Sequence, residues 1–109
     1  MEGVIFPGFY YPDGERYPGS LEFVAAYKEK FGEEPETYAA LAYDATNMVL
    51  QAMREGGVSR QAIRDYLETM DGFSGVTGKH KFDANHDTEV PIILLTVKDG
   101  QIVLAEKQL

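Results

Sequence analysis

Three polar side chains at alternate positions, Asp83, Asn85 and Asp87, form the first group whose spacing could bind a metal. A calcium-binding loop takes oxygen ligands from its first, third and fifth positions, and these three residues match that pattern. The same loop requires glycine at its sixth position and glutamate at its twelfth, where this sequence has Thr88 and Leu94. The incomplete match favours a polar turn, and we predict no metal site here.

The two histidines, His80 and His86, are six residues apart in the sequence, on a predicted strand and a predicted turn. The chain has no cysteine that could complete a zinc site with them. We therefore expect both histidines to be exposed. No G-x-S-x-G elbow or other nucleophile signature occurs either, so we predict no catalytic residue and no cofactor. A small α/β enzyme that uses surface carboxylates remains open as an alternative.

The glycines at positions 72, 75 and 78 raise the possibility of a phosphate-binding loop. Such a loop follows a strand and opens a helix. Here a predicted helix precedes the glycines and a predicted strand follows them, which is the reverse order. We expect a close crossing of backbone segments at these glycines.

Tyr38 is the aromatic residue whose position suits ligand binding. It follows Pro35 at the amino end of the longest predicted helix. Backbone N–H groups in the first turn of a helix have no helical partner, and a ring there can close over a small ligand. Packing in the core is the alternative role of an aromatic side chain, and it is our expectation for the other tyrosines and phenylalanines.

Composition restricts the partners of this protein. The chain has 109 residues, enough for one domain, and a net charge of −8 from 10 basic and 18 acidic residues. That charge repels phosphate backbones and anionic membranes, so we predict no nucleic-acid binding. No apolar run approaches the roughly 20 residues that a bilayer requires. The first residues lack the basic leader of a signal peptide, and the absence of cysteine leaves the redox compartment open.

The predicted order of elements is one strand, three helices and two or three further strands. Ser20 and Ser59 are predicted helix N-caps, Gly32 is a predicted helix end, and Asp99-Gly100 is a hairpin dipeptide. The predicted strands cover residues 3–6, 79–83, 90–97 and 101–105, and the predicted helices cover residues 20–31, 36–53 and 59–70. The strand at 90–97 is apolar and β-branched, so we expect it to be buried on both faces.

The longest helix carries a narrow polar stripe on a wide apolar surface. Asp44, Asn47, Gln51 and Arg54 share one helix face by their spacing. We expect this stripe to face solvent. The remaining faces are apolar, so the helix needs neighbours on more than one side.

Several motifs in this order resemble one family. They are Phe23-x-x-x-Tyr27 with Phe31-Gly32, Pro35-x-x-Tyr38-Ala-Ala-Leu-Ala-Tyr-Asp-Ala45, Gly72-Phe-Ser-Gly75-x-Thr-Gly78 with Phe82-Asp83, and Val97-x-Asp-Gly100. Together they resemble the carboxy-terminal third of a type I periplasmic binding protein, the branched-chain amino-acid and amide receptor family of ABC importers. The resemblance covers nearly all 109 residues.

This resemblance implies an α/β fold, a β-α-α-α-β-β(-β) part of one lobe of a two-lobed receptor. Residues 1–109 would then be a single domain cut from a longer, non-enzymatic protein. The parent would be a periplasmic or extracellular lipoprotein that delivers a small amino acid or amide to a membrane permease. In such receptors an aromatic residue near the start of the Tyr-Asp-Ala helix packs on the ligand, and Tyr38 is the matching residue.

Two features of the family have no counterpart in this chain. The main amino-acid clamp of these receptors and most of their sheet strands lie in parts that have no counterpart here. We therefore expect weak ligand binding by the isolated segment, and a homo-oligomer that covers its apolar surface. Two alternatives stay open: a ligand-sensing regulatory domain of the same fold, and a self-standing structural or interaction fragment without activity.

Overall fold

The computed structural model describes all residues, 1–109, as three helices and six short strands. In chain order the elements are β1 (Ile5–Gly8), α1 (Ser20–Phe31), α2 (Thr37–Gly56), α3 (Arg60–Thr69), β2 (Phe73–Gly75), β3 (Gly78–Phe82), β4 (Thr88–Glu89), β5 (Ile93–Lys98) and β6 (Gln101–Leu104). The strands form two separate antiparallel sheets, in the orders β1-β5-β6 and β2-β3-β4. None of the helices is both long and apolar enough to cross a membrane.

The strand predicted at 3–6 extends through Pro7, which is tolerated because β1 pairs only with β5 and is an edge strand. The strand predicted at 90–97 begins only at Ile93, because Pro91 has no N–H for a sheet ladder. The sequence does not predict the short strands β2 and β4.

Two of the three helix-end predictions are confirmed. The Ser59 side chain accepts a hydrogen bond from the Ala62 N–H at 3.1 Å, and Gly32 ends α1 in a left-handed conformation with φ 77°. Ser20 is wrong as an N-cap, because the preceding Gly19 takes the cap position with φ 88°. Ser20 is instead the first helical residue, and its buried hydroxyl has no hydrogen-bond partner.

The sheet β1-β5-β6 has its own small core. Ile93 and Leu95 of the central strand are buried against Tyr17. The opposite face of β5 is only half-buried, so the prediction of burial on both faces is wrong for that face. Asp99 and Gly100 have φ of 51° and 73°, the left-handed pair of a type I′ turn, which confirms the predicted hairpin.

The helices pack around a second core. Tyr10, Phe23, Ala40 and Val76 are its buried residues, and Tyr27 packs against them. Phe31 is exposed, so the expectation that it packs in the core is wrong. The helix α1 instead turns Phe23 toward α2 and the β2–β3 hairpin.

The chain exposes more surface than a compact protein of its size. Its accessible surface is 7655 Å², whereas a compact protein of 12.2 kDa exposes about 6,100 Å². Its radius of gyration is 15.8 Å, against about 13 Å for a compact domain of this length. Part of the surplus is an apolar surface of α2, formed by the exposed side chains of Tyr43, Leu50 and Met53. We call these three residues the α2 outer face.

Candidate functional site

Asp44, in the second turn of α2, is buried and fully hydrogen-bonded. Only 2% of the residue is exposed. Its Oδ1 accepts the Val76 N–H at 2.9 Å, and its Oδ2 accepts the Thr77 N–H at 2.8 Å and the Thr77 hydroxyl. The carboxylate therefore ties α2 to the turn between β2 and β3.

His80 completes this arrangement, and we call Asp44, Thr77 and His80 the Asp44 cluster. His80 is 4% exposed, and its Nε2 lies 2.6 Å from the Thr77 Oγ1 and 3.5 Å from the Asp44 Oδ2. An ionised carboxylate has no proton to donate, so the Thr77 hydroxyl donates to Asp44. The Thr77 oxygen is then the acceptor, and His80 must donate its Nε2 proton to it.

The prediction of exposed histidines is wrong for His80. Side chains alternate between the two faces of a strand, and Gly78 and His80 are buried while Lys79 and Lys81 are exposed. One face of β3 thus packs toward α2. His86, in the turn after β3, is exposed as predicted, with its Nε2 3.2 Å from a Glu68 oxygen.

Gly75 shows why the glycine-rich segment is needed at this junction. A Cβ added to Gly75 would lie 2.3 Å from the Asp44 carboxylate. A Cβ on Gly78 would lie 2.5 Å from a Pro91 side-chain atom. Both distances are too short for a Cβ atom, so each glycine lets a side chain pack directly against the backbone, where the sequence predicted a crossing of two backbone segments.

The electrostatics of the cluster keep Asp44 ionised. Burial alone raises the pKa of this carboxyl, but hydrogen bonds from His80, Thr77 and Val76 outweigh burial and lower the pKa below its ordinary value of 3.8. Burial, followed by the charges of Glu34 and Asp44, raises the pKa of Tyr10 to about 12. The junction thus holds one buried negative charge beside a protonated phenol.

The Asp44 cluster holds the fold together. Thr77 and Asp44 are both buried, and the hydrogen bond between them is part of the link between α2 and the β2–β3 turn. The prediction that the polar stripe of α2 faces solvent is therefore wrong for Asp44, whereas Arg54 is exposed and Asn47 and Gln51 are half-buried. One sequence signal could have found this: Asp44 also falls on the buried stripe Ala40, Asp44, Met48 and Ala52, which repeats every four residues.

Tyr38, the predicted ligand-binding residue, lies in the first turn of α2 and is 83% exposed. The helix N-cap, Glu36, makes no side-chain cap, so the first N–H groups of the helix have no protein partner there. Asp44 follows six residues later, about 9 Å along the helix axis. The anchored helix thus presents an uncovered ring, and the ligand role of Tyr38 stays a prediction.

The segment with calcium-like spacing forms a tight turn between β3 and β4. One oxygen of Asp83 accepts the backbone N–H groups of Asn85 at 2.8 Å and Asp87 at 3.0 Å. The predicted polar turn is confirmed. No three His, Asp or Glu side chains of the chain come together as a metal-binding group.

The α/β fold is that of one part of a known family, which comparison with other proteins identifies. The profile described as periplasmic binding protein matches residues 1–101. A curated relative from Brucella abortus, Leu/Ile/Val-binding protein homolog 7, is 33% identical over 92 residues. That match covers 79% of this chain and 23% of the relative.

Solved structures agree in fold. The leucine-binding protein of Thermotoga maritima is 32% identical with a TM-score of 0.78, over 95% of this chain and 30% of that protein. A branched-chain amino acid transporter substrate-binding protein of Streptococcus pneumoniae, solved with isoleucine, is 33% identical with a TM-score of 0.79, over 98% of this chain and 30% of that protein.

The chain belongs to the periplasmic binding protein family and has the fold of its type I members, which confirms the predicted family and fold class. It spans about a quarter of the curated relatives and less than a third of these solved structures. These relatives are transporter binding proteins and not enzymes.

Proposed function

We propose that this chain is the part of an extracytoplasmic receptor that helps bind a branched-chain or other small amino acid, or an amide, for import by an ABC transporter. The observation that carries the proposal is the match along 98% of the chain to a receptor solved with isoleucine. The receptor is a lipoprotein on the periplasmic or outer side of the membrane, it hands its ligand to a permease, and it catalyses no reaction. No observation favours a sensory or purely structural role over this one.

Tyr38 is the residue that we assign to ligand contact. Its ring is 83% exposed at the amino end of α2, and nothing in the chain covers it. A flat aromatic face packs well on an aliphatic side chain, and the free N–H groups of the first helical turn favour a nearby carboxylate. Leucine, isoleucine and valine combine these two groups.

A hybrid receptor tests this function. In it, the present chain replaces the matched segment of the Thermotoga maritima leucine-binding protein. Leucine, isoleucine, valine and small amides are titrated into the hybrid by calorimetry, with the unmodified Thermotoga maritima protein as the control. We expect heat of binding from at least one of the amino acids. A hybrid that is folded by circular dichroism but gives no heat would remove the amino-acid assignment and leave the fold.

The isolated chain, by contrast, binds such ligands weakly and associates with a second copy. Its surface exceeds that of a compact protein by about 1,600 Å², and a stable interface removes about 800 Å² from each partner. The α2 outer face is the apolar part of this surplus, so the second copy covers that face first.

Sedimentation velocity over a range of concentrations tests the self-association. We expect a dimer or larger species that Leu50→Glu, on the α2 outer face, converts to monomer. Gln61→Glu, an exposed position on α3, is the control and should leave the assembly intact. A chain that sediments as a monomer at every concentration contradicts the homo-oligomer.

A further inference from the structure

A cleft lies between α2, α3 and the β3–β4 hairpin. Tyr38 does not line it, so the cleft is separate from the surface that we assign to the amino acid. Its volume is about 350 Å³, and small-molecule sites have volumes of about 300–1,000 Å³. The walls are apolar and come from all three elements: Leu41, Met48, Val49, Leu67, Phe82 and Val90. The cleft therefore suits a small molecule with an apolar body.

His80 gives this cleft a specific polar group. The residue lines the cleft and is 4% exposed. Its Nε2 proton is committed to the Thr77 hydroxyl, and in the tautomer that carries its proton on Nε2 the other ring nitrogen, Nδ1, is an acceptor. Nδ1 makes no hydrogen bond within the chain. A molecule in the cleft that carries an O–H or N–H group would satisfy this acceptor.

The charges at the cleft exclude most other ligands. Asp44 also lines it, but its oxygens already accept hydrogen bonds from Val76 and Thr77. No lysine or arginine lines the cleft, so an anion would meet a buried negative charge without a compensating cation. A zwitterionic amino acid would leave both of its charges unpaired there. A cation would have to displace the Val76 and Thr77 donors from the Asp44 oxygens, so an uncharged molecule fits the cleft best.

We propose that this cleft binds a small uncharged molecule that has an apolar body and one hydrogen-bond donor, and that the donor bonds to the His80 Nδ1. A simple phenol has this chemistry. The site is separate from the amino-acid surface at Tyr38, and it stands whether or not the proposed import function is correct.

Calorimetric titration of the 109-residue chain with para-cresol, and with its methyl ether as the matched probe without a donor, tests the proposal. We expect para-cresol to bind about tenfold more tightly than the ether, because a hydrogen bond to a buried group contributes roughly this factor. Equal affinities for the two probes, or no heat from para-cresol, would overturn it. This comparison needs no variant.

Two variants locate the site. Ala45→Phe places a ring inside the cleft and should abolish binding of both probes, whereas Ala42→Phe, on the same helix outside the cleft, should leave binding unchanged. His80→Phe should remove the difference between phenol and ether. Equal losses from the two alanine variants would refute the location. If Ala45→Phe instead changes the sedimentation of the ligand-free chain and para-cresol gives no heat, a second copy fills the cleft and the proposal is wrong.

Discussion

Tyr38 and Asp44 lie six residues apart on α2 and have opposite surroundings. Tyr38 is 83% exposed, and its ring is covered by nothing in the chain. Asp44 is 2% exposed, and its oxygens accept hydrogen bonds from two backbone N–H groups and one hydroxyl. The comparison shows that the second turn of the helix is an anchor and that the first turn leaves the Tyr38 ring free for the ligand contact that we propose.

The anchor determines where the ring points. Moving a carboxylate out of water costs several kcal/mol unless hydrogen bonds replace those of the solvent. Here the replacements come from residues 76 and 77 of the β2–β3 turn, so α2 can satisfy Asp44 in only one rotation about its own axis. That rotation fixes the direction of Tyr38. We therefore expect substitutions at the anchor to change stability, and substitutions at the ring to change binding.

The largest effect should come from Asp44→Ala. The substitution leaves the Val76 N–H, the Thr77 N–H and the Thr77 hydroxyl without an acceptor inside the protein. We expect the free energy of unfolding to fall by about 3–5 kcal/mol, the usual result of breaking a buried charged interaction. Urea denaturation measures it.

Asn47→Ala is the control for that substitution. Asn47 lies on the same polar stripe of α2, is half-buried and makes no side-chain hydrogen bond. Asn47→Ala should lower the free energy of unfolding by less than about 0.5 kcal/mol, as most substitutions outside such networks do. Equal losses at the two positions would mean that Asp44 is no anchor.

Gly75→Ala should have the next largest effect. The new Cβ would lie 2.3 Å from the Asp44 carboxylate, so either the helix or the turn must move. We expect a loss of about 1–3 kcal/mol in urea denaturation, as for other overpacked sites. Ser74→Ala, at the exposed neighbour, should be nearly neutral. If Gly75→Ala has the same free energy of unfolding as the unchanged protein, the Asp44 carboxylate packs less closely on Gly75 than described.

Acid should weaken the anchor in a defined pH range. The pKa of Asp44 is lower in the folded chain than its ordinary value of 3.8, so the folded state binds a proton at this site less readily than the unfolded state. The stabilisation from this group is therefore complete above pH 3.8 and is lost as the pH falls toward the folded pKa. Asp44→Asn should show a flatter decline of unfolding free energy below this pH. Parallel pH profiles of the two proteins would contradict this.

The smallest effect on stability should come from Tyr38→Ala. The ring packs on nothing, and alanine favours a helix slightly more than tyrosine does. We expect a change within about 0.5 kcal/mol in urea denaturation. A loss of several kcal/mol would assign the ring to packing and would remove the contrast with Asp44.

Periodicity and turn chemistry predicted most of the fold. The three helices, the strand after residue 90 and the Asp99-Gly100 hairpin all follow from local patterns, because each depends on neighbours in the sequence. The Asp44 cluster depends on contacts across more than 30 residues, and the local stripe of α2 shows only that Asp44 is buried, without its partners. A polar residue on a helix is usually solvated, so Asp44 and His80 were both expected at the surface. The order of the family motifs predicts that Tyr38 contacts the ligand, and that role is tested only by a binding measurement.

The measurement that tests the separation of anchoring and recognition most directly is leucine titration of the hybrid receptor carrying Tyr38→Ala. Tyr43→Ala, at a tyrosine of α2 whose ring packs on Phe23, is the control for the loss of a tyrosine ring elsewhere on the helix. We expect Tyr38→Ala to lower leucine affinity about tenfold or more, the loss expected for a packed aromatic contact. The free energy of unfolding should stay the same. Tyr43→Ala should leave affinity unchanged. Equal leucine affinity in the Tyr38→Ala hybrid and the unsubstituted hybrid would contradict the account.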